Sequence, residues 1–145
     1  MLEVKDKNLS AIKCQNATNE TKHLKLLEKE WGRYKYAILE KSAADYQVIR
    51  NLLKDKTSYP VREFYRLIED ALSKETQPGA AENAAQHVWG YFKNKATPQE
   101  RKAFEKSMRN YRNGTGSLAT VKRQLHKLAM KYEEKYLVQS LYFYI

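Results

Sequence analysis

Three kinds of residue in this 145-residue chain could carry chemistry: three histidines, one cysteine, and cations interleaved with aromatic rings. His23, His87 and His126 have no second His four residues on and no cysteine close by, so no metal-ligand spacing arises. Cys14 stands alone, so it forms no intramolecular disulfide and cannot by itself hold a structural zinc or an iron–sulfur cluster. The sequence contains no Gly-rich phosphate loop, nucleophile elbow or dinucleotide fingerprint. We therefore expect no metal and no cofactor, and the residues make no positive case for a self-contained enzyme. His87 lies beside an apolar helix face and next to a Trp-Gly pair. A structural hydrogen bond is the simpler reading of that imidazole, with a small enzyme using His87 as a second alternative.

The cation–aromatic stretches are Arg33-Tyr34-Lys35-Tyr36, Tyr91-Phe92-Lys93 and Arg109-Asn110-Tyr111-Arg112-Asn113. Cations neutralise phosphates, and exposed rings or Arg planes stack on unpaired bases. Helical periodicity buries Tyr34, Phe92 and Tyr111 and leaves Lys35, Tyr36, Lys93, Arg109 and Arg112 for the surface. The formal charge of +10 is also unevenly placed. Residues 98–131 hold nine Lys/Arg against two Glu, residues 22–35 five against two, and residues 36–97 nine against eight. A local excess of this kind is the electrostatic footprint of a polyanion partner, most often nucleic acid. The expected contact residues are Lys25, Lys29, Arg33, Lys35, Tyr36, His87, Lys93, Arg109, Arg112, Lys122, Arg123 and Lys127.

Helices must position these groups. Leu24, Leu27, Trp31, Tyr34 and Ile38 recur at steps of three and four, which predicts a helix over 20–41. On a helical wheel Lys25, Lys29, Arg33 and Tyr36 fall roughly opposite that stripe. Trp31-Gly32 and Trp89-Gly90 each place a glycine beside a tryptophan, and a mid-helix glycine suggests close packing there. Ser42-Ala43-Ala44-Asp45 reads as the cap of a second helix. Thr57-Ser58-Tyr59-Pro60 breaks the pattern, and Phe64, Leu67, Ile68 and Leu72 mark a helix over 61–74. Gln77-Pro78-Gly79 precedes another, lined by Ala81, Ala84, Ala85, Val88 and Phe92. Thr97-Pro98-Gln99-Glu100 is the strongest local signal: cap Thr, Pro at the first helical position, and Glu completing the box.

That helix turns Phe104, Met108 and Tyr111 inward and Lys102, Lys106 and Arg109 outward, and Gly114 stops it. Leu118, Val121, Leu125, Leu128 and Tyr132 line a last long helix, with Arg123, Lys127 and Lys131 outside and Lys122 and His126 alongside. The tail from Leu141 to Ile145 is apolar enough to dock on the core or on a partner. Period-two alternation is absent, so the expected fold is all-α: a single compact domain of about six helices over residues 20–145, behind a loosely ordered segment over 1–19. No apolar run approaches the ~18 residues of a membrane span, and one cysteine suits the reducing cytosol, so a cytoplasmic protein is expected.

The order Trp31-Gly32-Arg33-Tyr34-Lys35-Tyr36, then His87 with Gly90-Tyr91-Phe92-Lys93, then Tyr111-Arg112-Asn113-Gly114, and Tyr136-Leu137-Val138-Gln139 resembles the YbgA-like family, a conserved domain of unknown function. The resemblance covers about residues 22–140. That family occurs free-standing or fused to photolyase-like domains, or behind a cysteine-rich iron–sulfur domain similar to desulfidases of thiolated uracil or tRNA thiouridine. The resemblance implies an accessory module, with structured RNA such as tRNA as its partner. It transfers no desulfidase activity to these residues, which hold a single cysteine. The chain departs from the family's pattern after Gly114, where prolines near Ser117 and Val121 and a Pro-Tyr-Pro end are expected. The alternative is a protein–protein adaptor that acts in trans with a desulfidase-like or other enzyme, with the tail from Leu141 to Ile145 as its contact.

Overall fold

The computed structural model describes residues 9–55 and 60–144, with side chains from His23 onward. Among the described residues the chain folds as seven α-helices and a 3-10 turn, with no strand. The helices are α1 (Leu9–Lys41), α2 (Ala43–Leu52), α3 (Val61–Leu72), α4 (Pro78–Trp89), α5 (Pro98–Arg112), α6 (Leu118–Lys131) and α7 (Lys135–Val138), and the 3-10 turn is Leu141–Phe143. Residues 1–8 of the expected loose segment lie outside the described residues. From Leu9 the backbone is already helical, because no Gly or Pro interrupts the run before Gly32. Of the expected break, 57–59 also lie outside the described residues, and α3 starts directly after Pro60.

Helix starts follow local chemistry. The Ser42 hydroxyl accepts the Asp45 N–H at 3.1 Å, and α4 opens with Pro78 in its first turn. α5 has a complete capping box: the Glu100 N–H donates to Thr97 Oγ1 at 3.1 Å, and the Thr97 N–H donates to Glu100 Oε1 at 2.9 Å.

α1 is the spine, and it is buried on two sides. Leu27 and Ile38 join Ile49, Leu53, Phe64, Ile68 and Ala71 in a core shared with α2 and α3, with Trp31 and Tyr34 half-buried against it. Tyr36 and Leu39 join a second core with α4, α5, α6 and the C-terminal segment, centred on Val88, Phe92, Phe104, Leu125 and Tyr142. Ala81, Ala84 and Ala85 are fully buried, which lets α4 lie close along α1.

This two-sided burial corrects one expectation. Tyr36 is not a surface residue: it is 6% exposed, and its hydroxyl shares a 2.8 Å hydrogen bond with that of Tyr91. Burial, then that bond, push the Tyr36 hydroxyl well above the ordinary tyrosine range. The wheel placed Tyr36 opposite the α2–α3 side, which α4 and the C-terminal segment cover. The signal was present in Tyr36-Ala37-Ile38-Leu39, four apolar residues in succession, as a helix covered on more than one side requires.

Candidate nucleic-acid interface

The most basic quarter of the sequence folds into an antiparallel hairpin, α5 and α6. Its turn is built by two glycines. Gly114 sits at φ 76°, left-handed, and a Cβ on Gly116 would come within 2.8 Å of Asn110 Cβ. The N–H groups of Thr115 and Gly116 donate to the Asn110 carbonyl at 2.9 and 3.0 Å, and the Ser117 hydroxyl caps α6 by accepting the Thr120 N–H at 3.2 Å. At the far end Glu100 ties the helices together. Its Oε2 accepts from Lys131 Nζ at 2.8 Å and its Oε1 from the Tyr132 hydroxyl at 2.5 Å. Lys131, then Tyr132 and the Thr97 N–H, hold the Glu100 carboxyl down at about 2.

On a 100° wheel Lys102, Lys106 and Arg109 lie roughly 140° to 200° from buried Phe104, and Arg123 and Lys127 roughly 160° and 200° from buried Leu125. All five are exposed, and none has an acid partner among the described residues. They form the outward face of the hairpin. Arg109, Arg123 and Lys127 were expected contact residues. Lys102 and Lys106 complete the row, and their steps of four and three to Arg109 already signalled it.

Two other expected contacts, Lys122 and Arg112, are used inside the protein. Lys122 is buried, with its ammonium 2.6 Å from Glu40 Oε1 and 4.5 Å from the centre of the Tyr142 ring. Sequence placed it on an outer flank, but the C-terminal segment covers that flank, with Phe143 and Tyr144 against His126 at 5.0 and 6.0 Å. Burial raises the Glu40 carboxyl, and Lys122 opposes that rise. Arg112 is ion-paired with Glu82 of α4, its Nε donating at 2.7 Å. His87 and Lys93 are exposed, and the Lys93 carbonyl accepts from Arg101 Nη2 at 2.6 Å. The His87 imidazole makes no hydrogen bond or ion pair among the described residues and borders none of the described cavities.

The α1 cations form a separate group. Lys25 and Lys29 are exposed, and Arg33 pairs with Glu30 at 3.3 Å. Lys29, Arg33 and Glu30 border a cavity of about 710 Å³ with Leu26, Val61, Tyr65 and Gln139, on the α3 side of the molecule. α6 meets α1 at Glu40, about 22 Å along the helix axis from Lys25 at 1.5 Å per residue. Lys35 is half-buried, its ammonium 5.0 Å from the ring centres of both Tyr36 and Tyr136.

Tyr136 explains Gly32: a Cβ there would lie 2.9 Å from the Tyr136 hydroxyl. The Tyr136 ring also stacks on Tyr91 at 6.2 Å. Three motif elements far apart in sequence, Trp31–Tyr36, Gly90–Lys93 and Tyr136–Gln139, therefore meet at one place. Gly90 has another role: it caps the end of α4, with the neighbouring Trp89 stacked on Phe104 at 4.5 Å.

Among the described residues no group of three or more His, Cys, Asp or Glu is placed to share a metal ion. No helix among them is long and apolar enough to cross a membrane. Neither curated proteins nor solved structures give a match to the chain. A family match does exist, over residues 35–145. It takes in Lys35, Tyr36, Tyr91 and Tyr136 of the aromatic junction, and the whole α5–α6 hairpin. On that span, about three quarters of its length, the chain belongs to the family described as protein of unknown function (DUF1722), which includes the YbgA-like proteins.

Proposed function

We propose that this protein is a nucleic-acid-binding accessory module of the cytosol, whose ligand is a structured RNA such as tRNA and whose contact surface is the outward face of the α5–α6 hairpin. One observation carries the reading: Lys102, Lys106, Arg109, Arg123 and Lys127 are all exposed on that face without an acid partner among the described residues. Cations of this kind meet phosphates without first giving up an internal ion pair, and they release the counterions that drive association. The preference for RNA over DNA rests on the fusion partners of similar proteins, which resemble enzymes of thiolated uracil and tRNA thiouridine. Convex helix faces also suit the backbone and the shallow minor groove of A-form RNA.

Five phosphate contacts predict that log K falls with log salt at a slope of roughly −3.5 to −4.5. Fluorescence anisotropy with labelled tRNA between 50 and 200 mM salt, roughly the range over which such slopes are read, measures it. The double variant R123E/K127E should weaken binding about tenfold or more, and equally for different tRNA sequences. An absence of tRNA binding at micromolar protein in low salt overturns the reading.

A second reading, an adaptor acting in trans with an enzyme, is favoured at a different place. Tyr142 of the tail is spent on the protein's own core, but Leu26 and Tyr65 are 58% and 42% exposed on the wall of the α1–α3 cavity. Pull-downs that recover no stable protein partner, or the same partner with Leu26→Glu, count against it.

A further inference from the structure

The register of the α5–α6 hairpin decides how its five outward cations stand to one another. Lys131 meets Glu100 at one end, and the Thr115 and Gly116 N–H groups meet the Asn110 carbonyl at the other. Between those ends, Glu100, Ala103 and Phe104 of α5 line one seam with Gln124, Lys127 and Leu128 of α6. Lys102 therefore stands about level with Lys127, and Lys106 about level with Arg123. On the wheel Lys106 and Lys127 lean to the seam, the side of Ala103 and Gln124, while Lys102, Arg109 and Arg123 lean to the two outer edges. The exposed acid Glu105 stands beside Lys102 and Arg109, on the edge away from the seam. The cations thus cover the width of both helices. Along the axes they extend about 10 Å on α5 and about 6 Å on α6, at 1.5 Å per residue.

A single strand asks for something different. Sites for unpaired RNA combine one cationic track for the backbone with exposed rings for successive bases. Residues 98–131 hold three rings, and none is free on this face. Phe104 is buried, Tyr111 is half-buried against the core, and His126 is half-buried against Phe143 and Tyr144. Tyr144 is itself 66% exposed, but it lies on the flank of α6 beside His126. A base-paired stem asks for what is present. It offers two phosphate rows on either side of a wide, shallow minor groove, and it keeps its base faces stacked inside. Packed helices stand about 8–10 Å axis to axis, a wider stance than the ~6 Å minor groove of B-DNA.

We infer that the outward face of the hairpin grips a base-paired RNA stem. Lys102 and Arg109 on the α5 edge meet the phosphates of one strand, and Arg123 on the α6 edge meets those of the other. Lys106 and Lys127 then lie over the minor groove between them, where the 2′-hydroxyls stand. This rests on the RNA reading and names the part of the RNA that is held.

Fluorescence anisotropy of the full chain with three labelled probes of equal phosphate count tests it: a blunt RNA duplex, an oligo(U) strand, and a DNA duplex of the same sequence. The RNA duplex should bind about tenfold or more tightly than oligo(U), whatever its sequence, and several-fold more tightly than the DNA duplex. Reversing one edge at a time locates the contact. K102E/R109E and, separately, R123E should each remove most of the duplex's advantage over oligo(U). A stem needs both edges, whereas a single strand shifts to the edge that remains. All three positions are exposed on helices, so helix content should not change, and the wild-type comparison of probes stands without the variants. Equal affinity for RNA duplex and oligo(U), or for RNA and DNA duplexes, overturns the inference. So does a loss in either variant that is the same for duplex and strand. If oligo(U) matches the duplex while tRNA still binds, the stem contact falls and the RNA reading survives. If no RNA binds at micromolar protein in low salt, the RNA reading fails and the stem contact with it.

Discussion

Around α2 and α3, residues 42–77 carry six Lys/Arg against six Asp/Glu, while across the α5–α6 hairpin residues 98–131 carry nine against two. In the first region two cations close on acids: Arg66 on Glu63 at 2.5 Å, and Lys74 on Asp45 at 2.5 Å and Asp70 at 3.8 Å. In the second, Arg101 turns to the Lys93 carbonyl just past α4, Arg112 turns to Glu82 of α4, Lys131 turns to Glu100, Lys122 goes inside, and five cations are left facing outward. Exposed ion pairs add little stability, typically ~0–1 kcal/mol, so pairing around α3 is not what holds the fold together. What pairing changes is the field the surface presents. Residues 42–77 sum to zero formal charge, whereas residues 98–131 sum to +7, with exposed Glu105 standing among the cations.

The comparison breaks most visibly inside α6. Lys122 and Lys127 are five residues apart on one helix, yet one is buried against Glu40 and the other faces water. Lys122→Met leaves the Glu40 carboxylate in the core without its cation, which should cost about 3–5 kcal/mol in urea unfolding at neutral pH. Lys127→Met should stay within ~0.5 kcal/mol. Because burial already raises the Glu40 carboxyl, the Lys122→Met penalty should shrink as the pH falls and Glu40 takes a proton. Equal, small costs at both lysines would show that the pair is not buried as described.

Next in size is the contrast on binding. R123E/K127E changes the charge by as much as R66E/K74E, so net charge alone predicts equal losses of tRNA affinity. If unpaired cations are what matters, the hairpin double variant loses about tenfold or more, while the α3 variant loses less than about twofold at 150 mM salt, where the Debye length is about 8 Å. Matched losses would reduce the interface to bulk charge.

Where structure depends on the next few residues, the sequence shows it. Ser42, Thr97-Pro98-Gln99-Glu100 and Gly114 each act on backbone groups within about one turn, and each does what its type dictates. Gly32 could be read as a notch, but the ring filling it, Tyr136, comes from over a hundred residues away. Tyr36 and Lys122 were misplaced for one reason: a helical wheel describes one core face, and both helices have a second side covered by the C-terminal segment or its neighbours. Arg112 needed its partner Glu82, thirty residues back, to be recognised as structural.

The smallest effect sharpens the comparison from the opposite direction, by unpairing a cation instead of reversing one. Glu100 is one of only two acids in residues 98–131, and it holds Lys131. Its carboxyl sits at about 2, below the ordinary 4.5, so it binds fewer protons folded than unfolded near pH 3. Its contribution to stability is therefore complete above about pH 5 and lost as the pH falls from 4.5 towards 2. Urea midpoints of wild type and Glu100→Gln should differ above that window and converge below it, whereas a gap independent of pH would mean that the charge is irrelevant. Gln still completes a capping box, so α5 keeps its start. Lys131, one turn beyond Lys127 on α6, then joins the outward row as a sixth unpartnered cation. Each added phosphate contact steepens the salt slope by about 0.7 to 0.9. Glu100→Gln should thus bind tRNA a few-fold more tightly at low salt, although the fold is slightly weaker. Damage to a structural site does not produce a less stable protein that binds better. A hairpin that works through cations the fold leaves unpaired does.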